Sequence, residues 1–203
     1  MKLFQNGLYR FVEKHFPNEE PEIMEYGFYI LISKIIFIIS IIIIGVIFSE
    51  LVPILLFTLF YTPLRSFAGG IHATTPSRCF VFSLAMLILV AMFNKYIFVS
   101  RYILFVFLIL ASIIIILLSP VETANKPLDE IEKNIYGIKT KIIMLIDVIV
   151  GVIFELFSYE IVLNNVMFAF FVISIMLALG EIENKNHKRE MGNNNEVQTK
   201  KLS

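Results

Sequence analysis

The stretch Phe28-Tyr-Ile-Leu-Ile-Ser-Lys-Ile-Ile-Phe-Ile-Ile-Ser-Ile-Ile-Ile-Ile-Gly-Val-Ile-Phe48 is apolar at almost every position and carries a single charge, Lys34. A helix needs roughly 20 apolar residues to cross the hydrocarbon core of a bilayer, and this run meets that length. Lys34 lies near the start of the run, where its long side chain can reach the membrane surface. The run therefore predicts a transmembrane helix.

The composition and the other apolar runs extend this prediction to the whole chain. Of the 203 residues, 58% are apolar and 17% are charged, whereas soluble domains are about 45–50% apolar. Further apolar runs follow at residues 51–62, 80–93, 102–119, 142–157 and 161–179. The run at 51–62 is short and has Pro53 near its start, so it is either an incomplete span or a re-entrant segment. We predict an all-α, polytopic integral membrane protein with about six transmembrane helices, the second short or re-entrant.

The segments on either side of this core differ from it and from each other. Apolar residues recur near helical spacing between residues 2 and 16, which predicts an amphipathic helix lying in the membrane interface within an N-terminal region, 1–27. Several acidic residues precede the first span and do not fit the basic start of a cleavable signal peptide. We expect one domain, 1–203, with a transmembrane core at 28–179 and a polar, disordered tail at 180–203.

Charge and cysteine content exclude several classes of function. The net charge is zero and the chain has one cysteine and three histidines. No long basic patch indicates nucleic-acid binding, and one cysteine cannot form an internal disulfide. These residues cannot supply the three or four protein ligands of a zinc site. No metal or other cofactor is predicted, and the lipid bilayer is the first expected partner.

The distribution of basic residues predicts the orientation in the cell membrane. If the N-terminus is cytoplasmic, 14 of the 17 Lys and Arg residues lie in cytoplasmic segments, and Lys95 and Arg101 lie outside. Short loops rich in Lys and Arg stay cytoplasmic, so we expect both termini on that side. This alternation requires the run at 51–62 to return the chain to the cytoplasmic face. A cysteine on that side stays reduced.

A polar segment, Arg65-Ser-Phe-Ala-Gly-Gly-Ile-His-Ala-Thr-Thr-Pro-Ser-Arg-Cys79, separates the second and third apolar runs. Thr75 followed by Pro76 predicts a helix whose first residue is Pro76. Cys79 then lies just past the first helical turn, where the helix dipole and a nearby base, His72, favour the nucleophilic thiolate. A free cysteine is more often a small buried apolar residue. The electropositive surroundings favour a nucleophile here, at the cytoplasmic face.

Two other regions contain candidate functional residues. A proline-bounded polar loop, 120–127, is expected on the same face, where Glu122 or Lys126 could reach the site or a substrate; a solvated connector is the alternative. Asp147 and Glu155 fall in the fifth apolar run, roughly on one helical face. Acids within a membrane span are candidates for function, although both could instead face a helical interface, or one could lie at the end of the span.

The block Arg65…Gly69-Gly70-Ile71-His72…Cys79, followed about forty residues later by Pro120-Val-Glu…Asn-Lys-Pro127, resembles the accessory gene regulator B (AgrB) family of quorum-sensing systems. The resemblance implies a membrane cysteine endopeptidase that removes the C-terminal part of an AgrD-like propeptide. His72 and Cys79 would be the catalytic pair, and a thioester acyl-enzyme would lead to a cyclic thiolactone or lactone peptide. It also implies that Arg65 and Gly70 are required, and that the protein is a homodimer.

The supporting residues and an alternative function stay open on the sequence. The oxyanion could be stabilised by backbone N–H groups at Gly69-Gly70 or at the helix start, or by Arg65. The two glycines could equally form a plain tight turn. Candidates to orient the imidazole of His72 are Ser66, Ser77 and Glu122. A different class of function is a non-catalytic membrane peptide exporter or signalling scaffold, which the two intramembrane acids would suit.

Overall fold

The computed structural model describes residues 21–71, 76–97, 99–122 and 128–202, with side chains described at 27–28, 30–71, 78–97, 99–122 and 128–185. These residues form helices joined by short connections. The helices are α1 (Pro21–Phe48), α2 (Leu51–Ala68), α3 (Pro76–Tyr96), α4 (Arg101–Leu118), α5 (Glu130–Leu156) and α6 (Glu160–Leu202). The predicted N-terminal amphipathic helix at 2–16 lies outside the described residues.

The structure confirms an all-α, multi-pass membrane protein. Within the described ranges, five helices are long and apolar enough to cross a bilayer, namely α1, α2, α3, α4 and the first part of α6. The predicted run at 142–157 lies in α5, which is also a continuous helix. Its apolar stretch is bounded or interrupted by four charged residues, Lys139, Lys141, Asp147 and Glu155, so α5 is not among the five.

The second span is longer than the sequence predicted. The apolar run was placed at 51–62, but α2 continues through Pro63 to Ala68 and reaches 18 residues, which is enough to cross the membrane. Pro63 lies inside α2 and removes one backbone hydrogen-bond donor, yet the helix continues past it. Arg65 therefore lies in the last turn of α2.

Helix α6 is the centre of the bundle. It packs against α2, α4 and α5, and 67% of its span is buried inside the protein, against 11% for α1. Its buried residues include Phe170, Ile173 and Leu177, none of which is accessible. The helix also continues to Leu202 without a proline, where the sequence predicted a disordered tail.

The bundle has two ends, which we define by their residues. The cysteine end contains the C-terminus of α2, the start of α3 and the segment that follows α4. The opposite end contains the α1–α2 and α3–α4 connections and the short turn between α5 and α6. Near the opposite end, Asn94 of α3 and Asn165 of α6 exchange reciprocal side-chain hydrogen bonds of 3.2 and 3.1 Å. This amide pair fixes α3 against the central helix.

Candidate active site

Arg65 folds back over the segment that follows its own helix. Its guanidinium donates hydrogen bonds to the carbonyl oxygens of Gly69 and Ile71, and its backbone carbonyl accepts from the Gly69 N–H at 3.3 Å. The side chain is half-buried. A bidentate guanidinium of this kind fixes two acceptors at once, so Arg65 sets the path of the chain immediately before His72.

The Gly69–Ile71 strip runs between two other parts of the molecule. On one side it meets Val121 in an isolated parallel bridge, with Val121 N–H to Ala68 O at 3.0 Å and Gly70 N–H to Val121 O at 3.4 Å. On the other side the Ile71 N–H donates to the Met176 carbonyl of α6 at 3.2 Å. The backbone of the strip is thus held by three separate elements.

Both glycines are required by this path. Gly69 has φ 78° and Gly70 has φ 107°, in the region that side chains rarely adopt. A Cβ at Gly69 would overlap the Val121 carbonyl oxygen, and one at Gly70 would lie 2.9 Å from the Met176 carbonyl oxygen. The Gly-Gly pair therefore serves both the turn and the close backbone approach, beyond what a simple tight turn needs.

Helix α3 begins at Pro76 as predicted, and Cys79 is its fourth residue, just past the first turn. Its thiol is free and exposed. Tyr61 of α2 lies close enough to both Arg65 and Cys79 for their charges to act on its hydroxyl. The same hydroxyl contacts the Met176 sulfur at 3.1 Å. Tyr61 therefore lies near both Cys79 and Arg65 at the cysteine end.

Comparison with known proteins identifies the family. The family model described as accessory gene regulator B matches residues 5–179. The chain belongs to the AgrB family. It is 30% identical over 129 residues to AgrB-like protein 2 of Clostridium perfringens strain 13, and equally similar to an AgrB-like protein of strain SM101. Each alignment covers 60% of this chain and 60% of the relative. No solved structure matches the chain.

The structure describes some of the AgrB motif residues and not others. Arg65, Gly69, Gly70 and Cys79 lie together at the cysteine end, as described above. His72, Lys126 and the side chain of Ser77 lie outside the described residues. The pairing of His72 with Cys79 therefore stays a prediction.

The remaining supporting candidates already have partners. The Ser66 hydroxyl donates to Thr62 O at 2.8 Å, within its own helix. Glu122 forms an ion pair with Lys133 at the start of α5, and this hydrogen bond raises the pKa of the Lys133 ammonium. Glu122 is half-buried. Its position ties the loop after α4 to α5, at the same end as Cys79.

The two acids of the fifth run lie in different surroundings. Glu155 is close to the end of α5 and forms an ion pair with Arg101 at 3.3 Å, which matches the expectation that one acid lies at the end of the span. Asp147 is buried, on the same helical face as Thr140 and Met144. In the described part of the chain, its Oδ2 atom has no hydrogen-bond partner.

Sequence reasoning missed the contribution of α6 and of Tyr61 to this site. Met176 contacts both the Tyr61 hydroxyl and the Ile71 N–H. The sixth run is apolar at most positions, so its pattern does not single out the face that meets this site. The available signal was Gly180, the one glycine between residues 152 and 191, since small residues in membrane helices mark close approach of another segment.

Proposed function

We propose that this AgrB family member is a membrane cysteine endopeptidase that cleaves an AgrD-like propeptide and leads to a cyclic autoinducing peptide for quorum sensing. The observation that carries the proposal is an exposed thiol at the same end of the bundle as a clamped strip, Gly69–Ile71, that directly precedes His72. Four residues, 72–75, connect Ile71 to Pro76 and can span at most about 18 Å. This short connection is compatible with the proposed pairing of His72 with Cys79.

The first chemical step follows from these two side chains. His72 accepts the proton of Cys79, and the thiolate attacks the carbonyl carbon of the scissile peptide bond. Collapse of the tetrahedral intermediate breaks the C–N bond, and the departing amine takes the proton from the imidazolium. The product is a thioester between Cys79 and the N-terminal part of the propeptide.

The oxyanion of that intermediate is best stabilised at the start of α3. The N–H groups of Gly69, Gly70 and Ile71 are already hydrogen-bonded, and the guanidinium of Arg65 donates to two carbonyls. By contrast, the first N–H groups of a helix have no acceptor within the helix. We therefore assign oxyanion stabilisation to the backbone around Ser77, which lies close to the attacking sulfur.

The thioester is resolved within the substrate. A cysteine thiol or serine hydroxyl of the bound peptide attacks the thioester carbonyl, which forms a thiolactone or lactone and returns the Cys79 thiol. Water must be kept from the thioester during this step. A site at the edge of a membrane bundle favours this outcome, because the bilayer and the packed helices limit the access of water.

The proposal includes an orientation and an assembly. The cysteine end and both chain termini face the cytoplasm, where a newly made propeptide is available and a thiol stays reduced. Glu122 and Lys126 lie in the loop after α4 and are the proposed contacts for the substrate. As the family resemblance implies, the working unit is a homodimer.

Substitution of Cys79 tests the enzymatic proposal. We expect Cys79→Ala and Cys79→Ser to abolish cleavage of a co-expressed propeptide while membrane insertion is retained. His72→Ala should eliminate the acyl-enzyme that mass spectrometry detects as an adduct on Cys79. His15→Ala and His187→Ala are the matched controls and should cleave normally.

Persistent cleavage by Cys79→Ala would contradict the endopeptidase and leave a non-catalytic exporter or signalling scaffold as the function. A requirement for His15 or His187 equal to that for His72 would show that the base has been wrongly assigned.

A further inference from the structure

One face of α6 contacts every segment that surrounds the clamped strip. Met176, Gly180 and Asn184 follow at a spacing of four residues, so they lie one above another on the same side of the helix. We call this surface the α6 face. Met176 accepts the hydrogen bond from the Ile71 N–H at 3.2 Å.

Gly180 allows the strip to lie directly on the helix. A Cβ at this position would lie 2.9 Å from the Ile71 backbone nitrogen and 3.0 Å from two backbone atoms of Gly70. The first distance is shorter than real Cβ contacts and the other two are at the tight limit. All three atoms belong to the backbone, so no side chain can move aside. Any side chain at 180 must push the strip away from α6.

Asn184 holds the other partner of the strip. Its amide donates to the Glu122 carbonyl oxygen at 2.7 Å, and Glu122 directly follows Val121, which bridges to Gly69. The α6 face therefore supports the strip twice: directly through Met176 and Gly180, and indirectly through the 121–122 segment.

We propose that the α6 face is a positioning surface for the catalytic base, with Gly180 and Asn184 as positioning residues that act through the Gly69–Ile71 strip on His72. The inference rests on the proposed function, since it assigns to His72 the role of base. The inference requires that α6 holds the backbone of Ile71 in a fixed position. A misplacement of about 1 Å at a catalytic group can cost about a hundredfold in rate.

Gly180→Ala provides the sharpest test because alanine is the better helix former. A purely local effect on α6 would therefore favour the variant. We expect cleavage of a co-expressed propeptide to fall at least tenfold, through kcat more than KM. Gly27→Ala in α1 is the matched control, since a Cβ there meets nothing within 4 Å, and it should cleave normally.

Hydrogen exchange of the protein in nanodiscs gives a readout that needs no substrate. In Gly180→Ala the amides of Gly70 and Ile71 should exchange at least tenfold faster, with exchange in α2 and α4 unchanged. Asn184→Ala leaves room for the strip and should accelerate exchange at Val121 and Glu122 first. This second variant keeps the test decisive if Gly180→Ala does not fold.

Unchanged exchange of Ile71 in a folded Gly180→Ala protein would overturn the proposal, whatever happens to cleavage. Equal acceleration throughout the bundle would also overturn it, because the contact would then be one of general stability. If the unaltered protein cleaves no propeptide, the proposed function fails while the exchange data still decide whether α6 fixes the strip.

Discussion

The two ends of the bundle are held together by different kinds of contact. At the opposite end, charged side chains join the helices: Arg101 of α4 pairs with Glu155 of α5 and Glu160 of α6. At the cysteine end, the strip before His72 is held mainly by backbone hydrogen bonds and by glycines without room for a Cβ.

This difference shows which end tolerates change. An exposed ion pair contributes little to the stability of the fold, and its residues can be replaced, because water and other side chains compensate for its loss. Where backbone packs directly against backbone, a substitution cannot be compensated in this way, since each added side-chain atom displaces the chain itself. The contrast is what we would expect if one end only closes the bundle and the other positions reactive groups.

Labelling of introduced cysteines from outside the cell should distinguish the two ends completely. In a Cys79→Ala background, Tyr96→Cys at the opposite end should react with a membrane-impermeant maleimide on intact cells, because Tyr96 is exposed. Asn125→Cys, in the loop at the cysteine end, should react only after permeabilisation. The reverse labelling pattern would place the cysteine end outside and remove the basis for processing a cytoplasmic propeptide.

Gly69→Ala should cause the largest loss among single changes in the strip. The residue would need φ 78°, and strain of this kind costs about 1–3 kcal/mol. Its Cβ would also overlap Val121. We expect propeptide cleavage to drop by at least an order of magnitude.

The matched control for that change is Gly137→Ala, at the same end of the bundle. Its Cβ would make an ordinary contact of 3.5 Å with Pro120, so cleavage should be retained. Normal cleavage by Gly69→Ala would show that the bridge to Val121 is dispensable.

Removal of the exposed ion pair between Arg101 and Glu160 should have the smallest effect on stability and cleavage. Glu160→Gln leaves Arg101 beside Glu155 and removes one pair whose partners are both exposed, 61% and 57%. We expect the midpoint of thermal unfolding in detergent to stay nearly unchanged, because exposed ion pairs contribute little to stability, and cleavage to stay within twofold of that of the unaltered protein. A loss as large as that of Gly69→Ala would show that the opposite end is as intolerant as the cysteine end.

The sequence predicted the helices better than their contacts, for a physical reason. In hydrocarbon every backbone N–H must be satisfied within its own segment, so long apolar runs become helices. Thr75-Pro76 likewise predicted where α3 begins. The end of α2 was placed too early because the apolar run stops at residue 62, whereas the helix continues to Ala68 and the Arg65 side chain satisfies carbonyls just beyond it.

The site was predictable only in its local part. The motif from Arg65 to Cys79 lies within one short stretch, and its residue types indicate thiol chemistry. Met176 and Gly180 are about a hundred residues away in an apolar run, whose pattern does not show which face meets which partner. Contacts of this kind depend on the packing of whole helices, which the sequence pattern does not resolve.

The amide pair between Asn94 and Asn165 has a consequence for the far end of α3. Rotation of α3 about its axis would separate two carboxamides in apolar surroundings, and an unsatisfied amide there costs several kcal/mol. Cys79 lies fifteen residues before Asn94 on the same helix, about 22 Å away at 1.5 Å per residue. The pair thus limits the rotation of α3 from the opposite end of the bundle, and with it the direction in which the Cys79 side chain leaves the helix.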